Sequence, residues 1–325
     1  MSLPAELALD PGIVGWIARI EEISPGLPGL KSRDPLLRRA AERRLSDLLA
    51  VDAVLPVPDG VDREDVVIPG PRGLLRMRRY RRGGGTGPLP SQLWLHGGGF
   101  FGGAVDEQIN ERLCARRALD SGVQIFSLEY GLAPEHPYPA ASDDAARALE
   151  ALIEGGARLG VDPARVGIGG NSAGAAIAAS TVLRLRGSVP LVHVDLEVPA
   201  LALRPMGHAA EQAGEPWRQE FAWVAGLYVG PDGPADSDAS PLDADDLSGF
   251  PPTLIFVGEH DPLRDGGIAF AARLTEAGVE TELVVGPGHL HGTPGLTAVF
   301  PGARAWQAQH AQELTRAYRS APSAA

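Results

Sequence analysis

Four short segments hold residues whose types and spacing suit acyl transfer. The first is Gly170-Asn171-Ser172-Ala173-Gly174, a G-x-S-x-G pentapeptide. In a chain with 41 glycines the pattern alone is weak, but its setting strengthens it. Val166-Gly167-Ile168-Gly169 reads as a buried strand, and Ala173 to Leu185 as a helix that turns small residues toward a sheet. Strand, sharp turn and helix form the frame of a nucleophile elbow, with the serine in strained backbone geometry. A side chain two residues to either side would clash where strand and helix converge. The competing reading is an unreactive Gly/Ser/Ala-rich turn. The second segment, His96-Gly97-Gly98-Gly99, follows the strand-like Leu93-Trp94-Leu95. Consecutive glycines let backbone N–H groups approach a developing oxyanion. A phosphate cradle is excluded here, because no G-K-[ST] follows and no G-x-G-x-x-G opens a helix.

The third segment is Gly258-Glu259-His260-Asp261-Pro262-Leu263-Arg264-Asp265, after the apolar run Thr253–Val257. A carboxylate just past a strand's carboxyl end can orient a histidine. Asp261 is the choice; Glu259 and Asp265 compete as a loop hydrogen bonder and a helix cap. The fourth, Pro287-Gly288-His289-Leu290-His291-Gly292, holds two of the eight histidines. One of them should be the general base, since a serine hydroxyl is a poor nucleophile until a neighbour takes its proton. The chain order Ser, Asp, His matches one of the three known orders for such a triad. Nothing pairs His289 and His291 with further ligands at metal spacing, so no zinc site is expected. His193 reads as structural, and His208 and His310 fall in helical or cap regions.

These segments need elements to hold them. Apolar runs at Leu93–Leu95, Val123–Leu128, Val166–Ile168, Leu191–Leu196, Thr253–Val257 and Glu282–Val285 alternate with helical stretches at about 107–119, 141–159, 173–185, 265–277 and 297–318. That alternation implies a mostly parallel sheet covered on both faces. Residues 1–50 read as helical and separate: Ile13 to Ile20, then a helix begun by Asp34-Pro35 with Leu37, Ala41, Leu45 and Leu48 on one face. Residues 51–325 form the main domain. Between 202 and 248 an insertion with Trp217, Phe221, Trp223 and Tyr228 should lie over the carboxyl ends of the strands. The strand-turn-strand from Asp65 to Arg82 carries Arg76, Arg78, Arg79, Arg81 and Arg82, which reads as a solvated edge strand guarded by charge.

Composition bounds the rest. Hydrophobic residues at 44% and charged residues at 22% are those of a globular chain. With 29 basic against 41 acidic residues the net charge is -12, which argues against nucleic acid as a partner. Cys114 is the one cysteine, so no internal disulfide is expected. Met1 to Ile20 carries acidic residues and no basic leader, and no apolar run reaches the ~18 residues of a membrane span. A cytoplasmic protein without membrane insertion is the expectation.

Taken in order, the four segments resemble the hormone-sensitive-lipase-like (bacterial HSL, family IV) carboxylesterases. Tyr130-Gly131-Leu132-Ala133-Pro134-Glu135, Ser240-Pro241 and Asp261-Pro262-Leu263-Arg264-Asp265 add to the match, which runs from about Asp65 to the C-terminus. The resemblance implies an α/β-hydrolase fold with a helical cap, built from the N-terminal segment and the 202–248 insertion. It implies Ser172 as nucleophile, His291 (directly before Gly292) as base, Asp261 as acid, and an oxyanion hole of the Gly98, Gly99 and Ala173 amides. It implies hydrolysis of short- to medium-chain acyl esters through an acyl-enzyme, with a small-molecule substrate and no metal or organic cofactor. Family members often dimerise through an edge strand, so a homodimer is compatible. Phe100, Phe101, Trp217 and Trp223 are the expected pocket residues. The chain departs from the family at Asn171 (usually Asp), Glu129 and Gly131 (usually Asp and Arg), and Thr293 (usually Phe or similar). The same triad could also serve a lactone, an amide or a carbamate. A non-catalytic binding protein, as among plant gibberellin receptors of this fold, is disfavoured because His291 is retained.

Overall fold

A computed structural model describes residues 8–84, 87–185, 187–234 and 236–320. In chain order the elements are α1 (Pro11–Ile23), α2 (Pro35–Ala53), β1 (Val61–Gly70), β2 (Gly73–Arg82), β3 (Leu89–Leu95), α3 (Gln108–Ser121), β4 (Gln124–Leu128), α4 (Ala140–Glu154) and α5 (Gly156–Leu159). They continue as β5 (Val161–Asn171), α6 (Ala173–Leu185), β6 (Val194–Glu197), α7 (Gly207–Gln212), α8 (Gly214–Val229), β7 (Thr253–Gly258), α9 (Arg264–Glu276), β8 (Thr281–Gly286) and α10 (Pro301–Ser320). The strands form one sheet in the order β1-β2-β4-β3-β5-β6-β7-β8. β2 runs antiparallel to both its neighbours, and β4 to β8 pair in parallel through β3. The fold is that of an α/β hydrolase.

Parallel strands covered on both faces read as continuous apolar runs, and β7 is buried along its whole length. One face packs Leu93, Ile168, Leu196 and Ile255 against α4, α6 and α9. The other packs Tyr80, Trp94 and Ile125 against Cys114 and Ala118 of α3 and Leu314 and Tyr318 of α10. The arginine-rich strand is not at the edge. β2 lies between β1 and β4, and β1 and β8 are the outer strands. Leu75 and Met77 are buried on one face of β2 and Tyr80 on the other, and β2 is hydrogen-bonded to a strand on each side. Its charges are matched: Arg76 and Arg78 both reach Asp65 and Asp106, and Arg76 also reaches Glu129.

The N-terminal helices are capped by the expected chemistry. Asp10 accepts from the Gly12 amide, Asp34 from those of Leu36 and Leu37, and each helix begins with proline. They lie against the sheet's carboxyl end. Ile13 and Ala53 share an apolar cluster with Leu290, Leu296 and Phe300, in the segment after β8. Arg39 of α2 donates to the Phe101 and Ala133 carbonyls and pairs with Glu135. Above them α2 and α8 are joined by Arg38 to Glu220 at 2.5 Å.

Candidate active site

β5 ends at Asn171 and α6 starts at Ala173, so Ser172 alone makes the turn, with φ +55°. A residue with a side chain is strained there and is held by its surroundings. The surroundings are tight: a Cβ on Gly174 would lie 2.1 Å from the Leu95 carbonyl oxygen, and one on Gly170 would lie 2.5 Å from the Gly174 carbonyl carbon. The Ser172 amide donates to the Glu197 carbonyl at 2.8 Å, which ties the turn to β6.

The Ser172 hydroxyl faces His291. Oγ lies 2.9 Å from Nε2, and Nδ1 lies 2.8 Å from Oδ2 of Asp261. With the proton on Nδ1 the imidazole donates to Asp261 and accepts from Ser172. Asp261 is fully buried, and its other oxygen takes the Leu263 amide at 2.8 Å. Burial pulls the His291 pKa down, and the charge and hydrogen bond of Asp261 more than offset it, leaving the imidazole above the ordinary histidine value. The competing carboxylates are engaged elsewhere: Glu259 takes the Gly288 amide, and Asp265 takes the Ala209 amide. His289 is buried between the rings of Phe300 and Trp306 and bonds the Thr293 hydroxyl at 2.9 Å. Thr293, one of the departures from the family, therefore holds the other histidine of this loop.

The glycine loop curls over the same place. Gly98 and Gly99 have φ +124° and +58°, and a Cβ on Gly98 would meet the Gly102 backbone at 2.3 Å. His96 is buried, stacked on Tyr130 at 4.4 Å, and the Tyr130 hydroxyl donates to its carbonyl. Ala173 opens α6, where N–H groups have no acceptor within the helix. Asn171 lies against Gly97, its Nδ2 being 3.1 Å from where a Cβ would stand. Where the family has an arginine at 131, Arg72 comes from the hairpin turn. It pairs with Asp144 at 2.5 Å, Asp144 accepts the Gly131 amide, and a Cβ on Gly131 would lie 3.3 Å from the Arg72 guanidinium.

Ser172, His291, Gly98 and Gly99 line one cavity of about 450 Å³. Of the four expected pocket aromatics, only Phe101 lines it. Phe100 has φ +63°, which turns its ring into the core, stacked on Tyr228 at 3.9 Å. Trp217 stacks on Phe221, and Trp223 packs behind Phe101 under the Arg38 guanidinium. The mouth is polar instead, with Arg38, Glu42 and Glu220 beside Val224. Burial raises the pKa of Glu42 against the pull of Arg38.

Among the cavity residues that the sequence did not single out, two are buried and charged. Glu197 ends β6 and Arg117 sits in α3; both are 3% exposed and both line the cavity. Arg117 stacks on Trp94 at 3.9 Å and pairs with Glu197 at 3.3 Å. Glu197 also accepts from Trp306 and Gln307, and Asp195 beside it holds His310 at 2.6 Å. The signal was there in part: an arginine on the buried face of a helix and two acids alternating in a strand.

No helix among the described residues is long and apolar enough to cross a membrane. A family model described as the alpha/beta hydrolase fold matches residues 92–294. The chain is 37% identical over 225 residues to the carboxylesterase NlhH of Mycobacterium tuberculosis, covering 66% of this chain and 70% of that protein. It is 35% identical over 277 residues to the esterase LipI of the same organism, covering 81% and 83%. Among solved structures, a bacterial heroin esterase superposes with a TM-score of 0.84 at 31% identity, covering 96% of this chain and 98% of that one.

Proposed function

The chain belongs to the hormone-sensitive-lipase-like carboxylic ester hydrolases of the alpha/beta hydrolase fold, and from that premise we propose that Ser172, His291 and Asp261 carry the reaction. The observation that supports it is the unbroken series of two hydrogen bonds, 2.9 and 2.8 Å, from a strained serine to a buried carboxylate. His291 Nε2 takes the hydroxyl proton as Ser172 Oγ bonds to the ester carbonyl carbon. The carbonyl oxygen becomes an anion, met by the amides of Gly98, Gly99 and Ala173. As the tetrahedral species collapses, the C–O bond to the alcohol breaks and His291 returns the proton to the leaving oxygen. A water then gives its proton to His291, attacks the acyl-enzyme, and releases the acid and the free serine. Asp261 stays ionised throughout and stabilises the imidazolium.

The acyl groups are short to medium in this reading, in keeping with a 450 Å³ cavity that must also admit the alcohol. The N-terminal segment to residue 50 and the 202–248 insertion act as the cap, a reading supported by the link from Arg38 of α2 to Glu220 of α8. The test is turnover of p-nitrophenyl butyrate. Ser172→Ala and His291→Ala should each lose about 10³-fold or more in kcat, while His289→Ala should lose stability with a far smaller loss of rate. Full activity in Ser172→Ala, or loss with His289→Ala but not with His291→Ala, would reassign the residues.

A further inference from the structure

The mouth and the floor of the cavity differ in kind. The mouth is built by α2 and α8, whose Glu42 and Glu220 are partly open to solvent; the floor is built by buried groups of α3, β3 and β6. There Arg117 lies flat on Trp94 with one nitrogen, Nη2, shared between Glu197 and Gln307. Its Nε is buried and has no hydrogen-bond partner among the described residues. A buried donor left unpaired is destabilising, and native structures keep few of them. A guanidinium serving only to neutralise Glu197 could be bonded throughout and need not border the cavity. Glu197, in turn, already has Trp306 and Gln307 on its other oxygen.

The alcohol must leave and water must enter during one turnover, while the acyl group stays bound through both halves. On the proposed mechanism the open mouth suits the alcohol and water, and the closed floor suits the acyl group. The charge at the floor is already balanced, one guanidinium against one carboxylate at 3.3 Å. A second carboxylate from the substrate would face Glu197 with no cation of its own. A neutral oxygen would accept an N–H and add no charge.

We propose that Arg117 is a specificity-determining residue that hydrogen-bonds a neutral oxygen, a ketone or the like, carried along the substrate's acyl chain, so that oxo-acyl esters are preferred over plain alkyl esters. This rests on Ser172 being the nucleophile that holds the acyl group. A site built to hydrogen-bond an oxygen rejects the analogue lacking it, because its own polar groups are then left bare.

The experiment uses p-nitrophenyl oxo-esters, beginning with the levulinate, with the ketone moved outward one carbon at a time. Each is paired with the methyl-branched ester of the same shape; the isocaproate is the partner of the levulinate. For the best-fitting member, kcat/KM should exceed that of its branched partner by about tenfold or more. The double substitution Arg117→Met with Glu197→Gln removes the cation without stranding an anion, and it should bring that ratio to near one. Should the double variant fail to fold by circular dichroism, Arg117→Lys keeps the ion pair while removing the Nε donor, and the ratio should fall there as well. A wild-type ratio at or below one across the whole series overturns the proposal, as does a ratio unchanged in a folded variant. Hydrolysis of p-nitrophenyl acetate is followed separately. If it survives Ser172→Ala, the nucleophile assignment fails, and the acyl reading of Arg117 fails with it.

Discussion

Asp261 sets both the direction and the basicity of His291. The imidazole must be neutral to accept the Ser172 proton, so the acid limb of kcat/KM follows its pKa. That pKa lies above the ordinary value because the buried Asp261 outweighs the effect of burial. Activity should therefore fall with decreasing pH from a point above about 6.5. In Asp261→Asn the raising charge is gone and burial remains, so the limb should move downward while kcat drops by about 10⁴-fold through loss of the required tautomer. A pH series on both proteins checks it; an unmoved limb would mean that another group titrates. At this scale the sequence was informative where residue type and local spacing are enough. Ser172, Asp261 and His291 each stand just past a strand in a recognisable pentapeptide or loop, and the structure brings them into one hydrogen-bonded series. It was uninformative where direction matters. Phe100 and Phe101 are adjacent and alike, and the positive φ of Phe100 sends one ring to the core and leaves the other at the cavity. Arg117 and Glu197 are eighty positions apart, and their pairing exists only once α3 is laid against β6.

The strand–turn–helix around Ser172 makes a sharper statement about which substitutions it tolerates. In Gly174→Ala the new Cβ would stand 2.1 Å from the Leu95 carbonyl oxygen and 2.4 Å from that of His96. Both obstacles are backbone of β3 and the glycine loop, so α6 must move away from the sheet. The expected result is a loss of about 3 kcal/mol or more of stability together with loss of activity. Gly15 in α1 is the contrast: a Cβ there meets nothing within 4 Å, and Gly15→Ala should stabilise by about 0.5–1 kcal/mol through helix propensity. Thermal melts of the two variants check both signs. Elements were legible for a related reason. Strands buried on both faces and helices with one apolar face leave distinct periods in the sequence, and α6 spans the expected 173–185. β6 hid itself. Val194-Asp195-Leu196-Glu197 alternates like a half-exposed strand, yet all four residues are buried. The acids are tolerated because Arg117, His310, Trp306 and Gln307 come from α3 and α10 to meet them. The rank of β2 in the sheet was equally hidden, since local pattern does not say how many neighbours a strand has.

Across the whole molecule, the end of the sheet opposite Ser172 has its own vulnerability, which ties folding to pH. His193 stands just before β6, 5% exposed, with neither ring nitrogen bonded among the described residues, in the lining of a cleft of about 400 Å³ shared with Glu280, Glu282 and Glu313. Burial holds its pKa down at about 4; Asp195 pulls upward, His310 and Arg316 push it further down, and Glu282 pulls upward. The unfolded chain binds this proton at about pH 6.5. Between those two values the unfolded state carries more protons at this position than the folded one, so stability rises with pH there and is lost as the solution is acidified. The loss by pH 4 amounts to up to about 3 kcal/mol. His193→Leu removes the titration and sacrifices no hydrogen bond to the described residues. Acidification also reduces the net charge from -12, but that change is common to both proteins and cancels in the comparison. Urea unfolding at pH 7 and pH 4.5 should show the wild type losing more stability than His193→Leu, by most of that amount. Equal losses in the two proteins would mean that the imidazole is already charged in the folded state, and hence that water or a counter-ion reaches it through the cleft.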